Sequence, residues 1–312
     1  MATAFQDARE TVDETDTVSM KLPADTHVGT VALSVSDLGA MSTFYEQGVG
    51  LERLQENEAA VLLGSRGKPL LLLSQRPELQ SAARGAAGLY HTAILFEERP
   101  ALAAALYGAA SSGVGAFTGS ADHLVSLAFY FNDPEGNGVE LYWDRPRDEW
   151  QWADGQVAMD SLPLDPNRFI AEYRGTEDEP ASQVGATATI GHVHLKVGDI
   201  PTARAFYVDT LGLAPTMSSW PSALFTAAGG YHHHVGMNIW ESRGAGLREP
   251  SLGLESFELV VPGQEALDEL RQRLAEAGVA VEAEAGATGI AFRDPWGTLV
   301  KVVYPGALSA SS

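Results

Sequence analysis

No cysteine occurs in the 312 residues. Disulfides, zinc–thiolate sites and cysteine nucleophiles are thereby excluded, and a chain without thiols suits a reducing cytoplasm. Cations are scarce as well: 20 Lys and Arg against 41 Asp and Glu leave a formal charge of −21. Nucleic acid and anionic membrane surfaces both select cationic patches, so no nucleic acid and no membrane is expected as a partner. The acidic balance otherwise reads as a solvated surface and says little about substrate. Long apolar runs are also missing. No N-terminal stretch resembles a signal peptide and no segment is apolar for long enough to span a bilayer, so a cytoplasmic location is expected.

What is present is length for two domains of ordinary size, with 45% apolar residues to fill them. The stretch Ile190 to Leu213 organises the chain. Val193, Leu195 and Val197 alternate with His192, His194 and Lys196, so a strand there has one apolar face and one carrying imidazoles. Asp199 can cap the helix that follows, Pro201 suits an early helical position, and Gly212 is placed to end it. Shifting by 162 positions, Gly29, Val31, Leu33, Val35 and Asp37 meet Gly191, Val193, Leu195, Val197 and Asp199. Phe44-Tyr45 meets Phe206-Tyr207, and Gly50-Leu51 meets Gly212-Leu213, so the chain contains an internal repeat.

Each half continues with short strands and then a second unit. In the first half, strands are expected over 59–63 and 69–74, then 89–96, a helix over 100–110, and strands over 124–131 and 138–143 around the turn Asn132-Asp-Pro-Glu-Gly-Asn137. In the second half, strands are expected over 223–227, 232–240 and 254–261, a helix over 264–277, and strands over 289–293 and 298–304 around Asp294-Pro-Trp-Gly297. The result is four βαβββ units, two per half. The domain reading is an acidic mobile tail over 1–26, a first domain over 27–144, a linker over 145–188, a second domain over 189–306 and a short tail over 307–312. The linker carries Trp150, Trp152, Phe169 and Tyr173, too many aromatics for a free tether, and is expected to pack against the domains.

Four such units, strand-initial histidines and a glutamate after Asp-Pro-x-Gly together resemble the vicinal oxygen chelate superfamily. That superfamily includes glyoxalases, fosfomycin-resistance proteins and extradiol ring-cleaving dioxygenases. The two-domain length and the phrases Ser-Ala-Asp-His-Leu-Val-Ser (120–126), Asp-Pro-Glu-Gly-Asn-Gly-Val-Glu-Leu-Tyr (133–142) and Gly-Tyr-His-His-His-Val-Gly-Met-Asn-Ile-Trp (230–240) look most like its catechol-2,3-dioxygenase branch. The resemblance spans residues 27 to 306. It implies an α+β fold of two tandem domains, in which curved mixed sheets form metal-binding cups with the helices outside.

In that superfamily, metal ligands come from the first and last strands of a unit. Carried onto this chain, the second unit offers His91 and Glu140, and the third offers His192 with His232 and His234. The first unit offers only Thr30, and the fourth Ser256 and Lys301; an ammonium at Lys301 repels a cation rather than binding one. Two histidines and one carboxylate suit Fe(II) and leave positions open, and the complete set of that kind is His91, His192 and Glu140. Because these residues belong to the second and third units, those units are expected to pair across the halves, with the first pairing with the fourth. Each residue also has a plain reading: His91 as a buried core histidine, Glu140 as an edge carboxylate, Tyr130 as a half-buried strand aromatic.

Strand parity places His232 and His234 on the cup face, with His233 beside Val235, Met237 and Ile239. His234 is therefore the candidate acid/base, its near-neutral titration suiting proton transfer. The alternative, that His234 is a ligand in place of His91, stays open. His123 and Tyr130 resemble active-site residues of ring-cleaving dioxygenases. His194 shares the face of His192, and His27 is expected to do nothing. Trp220, Phe129, Tyr142 and Trp240 are candidates for shaping substrate choice.

The resemblance implies an Fe(2+)-dependent dioxygenase, with Mn(2+) or Zn(2+) as alternatives. Its reactants would be a small aromatic diol and O2, and a homo-oligomer is left open. Two other readings stand beside it: a glyoxalase-like isomerase or lyase, and a small-molecule-binding protein without catalysis.

Overall fold

The computed structural model describes residues 21–175, 187–283 and 289–305. The terminal stretches 1–20 and 307–312, read above as tails, lie outside the described residues, as does 176–186 of the linker. The first unit runs β1 (His27–Val35), α1 (Leu38–Thr43), β2 (Glu52–Asn57), β3 (Ala60–Ser65) and β4 (Lys68–Gln75). The second runs β5 (Gly88–Phe96), α2 (Arg99–Ser111), β6 (Ala116–Asp122), β7 (Ser126–Asn132) and β8 (Gly138–Asp144). The linker supplies a small hairpin, β9 (Trp152–Ala153) and β10 (Gln156–Val157), and α3 (Pro166–Tyr173). The third unit contains β11 (Ala188–Lys196), α4 (Ile200–Arg204), β12 (Ala214–Met217), β13 (Ala223–Ala227) and β14 (Val235–Asn238). The fourth contains β15 (Gly253–Val260), α5 (Gln264–Glu276), β16 (Val281–Ala283), β17 (Gly289–Arg293) and β18 (Leu299–Val303).

The repeat is visible in local structure. Asp37 accepts a hydrogen bond from the Ala40 amide at the start of α1, and Asp199 does the same for Thr202 at the start of α4. Each helix then widens into a π-helical turn, Phe44–Val49 and Ala205–Thr210. Gly50 and Gly212 follow with φ of +92° and +91°, left-handed values that favour a residue without a Cβ.

The strands assemble into two eight-stranded mixed sheets of an α+β fold, and each sheet takes four strands from each half of the chain. One has the order β16-β17-β18-β15-β1-β4-β3-β2, from the first and fourth units. The other has the order β12-β13-β14-β11-β5-β8-β7-β6, from the third and second units. The seams are antiparallel, β1 with β15 and β11 with β5, while the first and last strands of each unit run parallel. This is the cross-pairing expected from the ligand set.

Val193, Leu195 and Val197 enter one continuous core that also holds Val31, Leu33 and Val35 of β1 and the buried faces of α2 and α5. Of the residues on the opposite face of β11, His192 and His194 are nevertheless buried. Gly191 lies where the seam passes Tyr142: a Cβ there would run into the phenolic oxygen. The expected strand over 232–240 is shorter than the sequence pattern suggests. Regular pairing starts only at Val235, and residues 231–234 form an irregular bend.

Candidate metal centre

Three neighbouring strands bring His91, Glu140 and His192 together. His192 on β11 and Glu140 on β8 both register with Ala93 on β5, so the three residues stand in one row across the sheet. His91 precedes Ala93 by two positions and therefore shares its face. The methyl group of Ala93 in the middle of the row leaves room above it for the flanking side chains to converge. His91 Nε2 lies 2.9 Å and His192 Nε2 3.1 Å from Glu140 Oε2, and the two imidazole nitrogens are 3.3 Å apart. The three residues are 6%, 3% and 1% exposed.

This donor set fits a divalent ion. Bonds of about 2.1 Å at right angles place neighbouring donor atoms roughly 3.0 Å apart, close to the edges of this triangle. Among the described residues it is the one group of His, Asp and Glu whose atoms are close enough to share an ion. Burial pushes His192 down to about 4, against the pull of the Glu140 carboxylate, so its imidazole is neutral at neutral pH, the form in which a nitrogen can donate to a metal. Burial alone would raise the Glu140 carboxyl, but His192 and His91 hold it well below its usual range. The Nδ1 of His192 is buried and has no hydrogen-bond partner among the described residues.

A cavity of about 560 Å³ opens onto His91 and Glu140. Its apolar wall includes Tyr90, Trp220, Phe225 and Trp240, and Met159 and Ser161 of the linker close one side. Lys196 lies at the rim, 3.9 Å from the exposed carboxylate of Glu241. His123 and Tyr130 both line this cavity and are joined, with the Tyr130 hydroxyl 2.7 Å from His123 Nε2. Nδ1 of the same ring lies 2.7 Å from the Asp160 carbonyl, which can only accept. Nδ1 therefore carries a proton, and in the neutral ring Nε2 accepts from Tyr130. Burial first, and the Glu140 charge second, push the Tyr130 phenol well above its ordinary value, so it stays protonated.

Several sequence expectations are corrected here. His234 does not line the cavity: it stacks on Tyr231 at 4.8 Å, and its Nδ1 accepts from the Ala228 amide. His233 lines the cavity instead, 3.9 Å from the ring of His192. The parity argument fails because residues 231–234 are not extended strand, so alternation does not apply to them. Phe129 and Tyr142 are fully buried and do not line the cavity, whereas Trp220 and Trp240 do. His194 lines it, and its Nε2 accepts from the Asn238 amide at 3.0 Å. His27 is exposed, with its ring against the Asp25 carbonyl. Tyr90 lies inside an expected strand beside His91, and Met159 and Ser161 lie in the linker, with no signal in the sequence that places any of the three on the cavity. Lys196 could have been found, since it shares the alternating face of His192 and His194.

Among the described residues the other sheet has no comparable centre. The Thr30 amide donates to Glu258 at 3.0 Å, Ser34 donates to Glu255 at 3.3 Å, and Glu258 registers opposite Lys301. Thr30, Ser256 and Lys301 stand here at the strand positions that His192, His91 and Glu140 take in the sheet holding the cluster.

The family model described as Glyoxalase/Bleomycin resistance protein/Dioxygenase superfamily matches residues 27–141 and 189–302. A catechol-2,3-dioxygenase of Bacillus subtilis (strain 168) is 38% identical over 263 residues, covering 83% of this chain and 90% of that protein. Among solved structures, a candidate dioxygenase from Bacillus subtilis aligns with a TM-score of 0.65 at 13% identity, covering 94% of this chain and 89% of that one. Glyoxalase I from Zea mays aligns with a TM-score of 0.57 at 15% identity, covering 91% and 94%. At these identities the two structures speak for the fold alone.

Proposed function

The chain belongs to the glyoxalase/bleomycin resistance protein/dioxygenase superfamily, and from that premise we propose that it is an Fe(II)-dependent extradiol dioxygenase. Its substrate is catechol or a substituted catechol, whose ring opens beside the vicinal diol as both atoms of O2 are inserted. The observation that carries this reading is the buried cluster of two imidazoles and one carboxylate, with edges of 2.9, 3.1 and 3.3 Å, at the floor of an aromatic-walled cavity. The 38% identity to a catechol-2,3-dioxygenase supports the reaction class.

His91, His192 and Glu140 hold the ion. When bound, iron would acidify the diol, orient both reactants and pass electron density to oxygen. The remaining work belongs to the chain. Tyr90, Trp220 and Trp240 offer flat apolar surface to an aromatic ring and keep bulk water from it. Tyr130, held as a phenol, gives its one hydroxyl proton to a hydrogen bond with His123 in the resting site and can turn it to a substrate oxygen that carries more negative charge than the imidazole. We assign the role of proton acceptor to His233 rather than His234, because His233 is the one that reaches the cavity.

Protein loaded with iron under anaerobic conditions and then given catechol and air should consume oxygen and form a yellow ring-opened product. Glu140→Ala should lose stoichiometric iron and with it at least about 10³-fold in turnover, since removing a ligand costs more than the 10–100-fold typical of residues behind the ligands. Full metal retention in the variant sinks the triad. Native zinc or nickel with oxygen-indifferent activity would replace the dioxygenase reading with an isomerase or lyase.

A further inference from the structure

Four histidines line the cavity, and hydrogen-bond direction accounts for three of them. His91 belongs to the triad. Both ring nitrogens of His123 are engaged, one by the Asp160 carbonyl and one by the Tyr130 hydroxyl. His194 Nε2 is occupied by the Asn238 amide. His233 remains, and its Nδ1 lies 2.7 Å from His232 Nδ1. Two facing imidazole nitrogens can bond only if one is a donor and the other an acceptor.

The choice is made further from the cavity. His232 is fully buried, and its Nε2 lies 2.9 Å from Asp144 Oδ1. A carboxylate only accepts, so His232 Nε2 carries a proton, and an imidazole with that one proton presents a bare Nδ1. His233 must donate from its own Nδ1, which leaves its Nε2 unprotonated. Asp144 is itself held: Tyr231 donates to its Oδ2 at 2.8 Å. With its single proton committed there, Tyr231 accepts from Tyr142 at 2.7 Å. The chain Tyr142, Tyr231, Asp144, His232, His233 thus has one consistent set of directions.

We propose that Asp144 is a positioning residue: acting through His232, it fixes the ring proton of His233 on Nδ1 and so leaves a bare Nε2 as the nitrogen His233 can offer the cavity. The inference rests on the dioxygenase reading only for its catalytic consequence, which is that this nitrogen can take a proton from the bound diol. In that step the substrate O–H bond breaks, an N–H bond forms at His233 Nε2, and the Nδ1–H stays on His233, hydrogen-bonded to His232 Nδ1. Nothing in the sequence marks Asp144 for this. It ends β8, four residues after Glu140, and looks there like any polar strand terminus.

The test is nitrogen NMR of the full-length, metal-free chain labelled at histidine, together with turnover of iron-loaded Asp144→Asn and Asp144→Glu. The wild type should show His232 protonated at Nε2 and His233 protonated at Nδ1 only. In Asp144→Asn the new amide can donate to His232 Nε2, which reverses both tautomers and points an N–H of His233 at the cavity. Turnover should then fall at least tenfold with iron content and KM near wild type, and Asp144→Glu, which restores a carboxylate, should recover part of the loss. A His233 ring protonated at Nε2 in the wild type, or unchanged tautomers and turnover in Asp144→Asn, overturns the proposal. If the tautomers are as stated but the wild type cleaves no catechol, the dioxygenase reading fails and the positioning role of Asp144 stands.

Discussion

Tyr130 shows what one side chain contributes when its partners fix its state. It faces Glu140 across the β7–β8 ladder and donates a hydrogen bond to His123 at 2.7 Å. A phenol kept far from ionisation by burial keeps its proton, and once that proton turns from His123 toward developing charge in a water-poor cavity it is worth much more than a hydrogen bond in water. Tyr130→Phe is therefore expected to lower kcat about 10²-fold. Iron content should not change, since the hydroxyl is not among the three donor atoms of the triad. Steady-state kinetics beside metal analysis checks this, and a kcat within twofold of wild type removes Tyr130 from the chemistry.

At the scale of elements, the two Asp-Pro turns tie each half together while the sheets tie the halves to each other. Asp133 accepts from the Glu135 and Asn137 amides and from the Tyr45 hydroxyl, which lies in the π-helical turn of the preceding unit. Asp294 repeats the arrangement with Trp296, Thr298 and Tyr207. The Phe-Tyr pair that marks the repeat is thus conserved between halves by a structural need, a tyrosine anchoring the next unit's turn. Burial raises Asp133 from 3.8 to about 6, against the hydrogen bonds it accepts. Its native pKa lies above the unfolded one, so the native state binds the proton more tightly. The group's contribution favours folding below about pH 4 and is lost as pH rises through 6, a change on the order of 2–3 kcal/mol. Subtracting the urea stability of Asp133→Asn from that of the wild type at each pH should give a difference falling between pH 4 and 6.5. A flat difference rules out the buried titration.

Legibility follows the same division. Helix caps, the glycine ends and the polar face of β11 could be read because local backbone rules fix them. His91, His192 and Glu140 could be singled out because the resemblance to the superfamily names the strand positions that reach a shared centre. The error at His233 and His234 came from extending a period of two into a bend. The linker's part in the cavity was invisible, because Met159 and Ser161 arrive there by tertiary packing with no periodic signature of their own. For the same reason the carbonyl of Asp160, which sets the tautomer of His123, could not be foreseen: any residue type would supply it.

For the whole molecule, the decisive fact is that neither sheet belongs to one half. His91 and Glu140 come from the first half and His192 from the second, so the donor triangle closes only when β5 and β11 pair. The seam β1–β15 makes the same demand on the other sheet. An isolated half would expose two unpaired central edges, from β1 and β5 or from β11 and β15, together with apolar surface that the shared core normally covers. Exposed strand edges of that kind favour pairing with other chains or aggregation. Two fragments made by dividing the chain within 176–186 should therefore each fail to hold iron stoichiometrically when purified alone. Refolded together, they should elute as one complex and recover one iron per pair, because the seam and the ligand set are completed by the same contact. Stoichiometric iron on the first fragment alone would mean that two donors suffice or that it finds a third within itself, and either result would separate metal binding from the pairing of the halves.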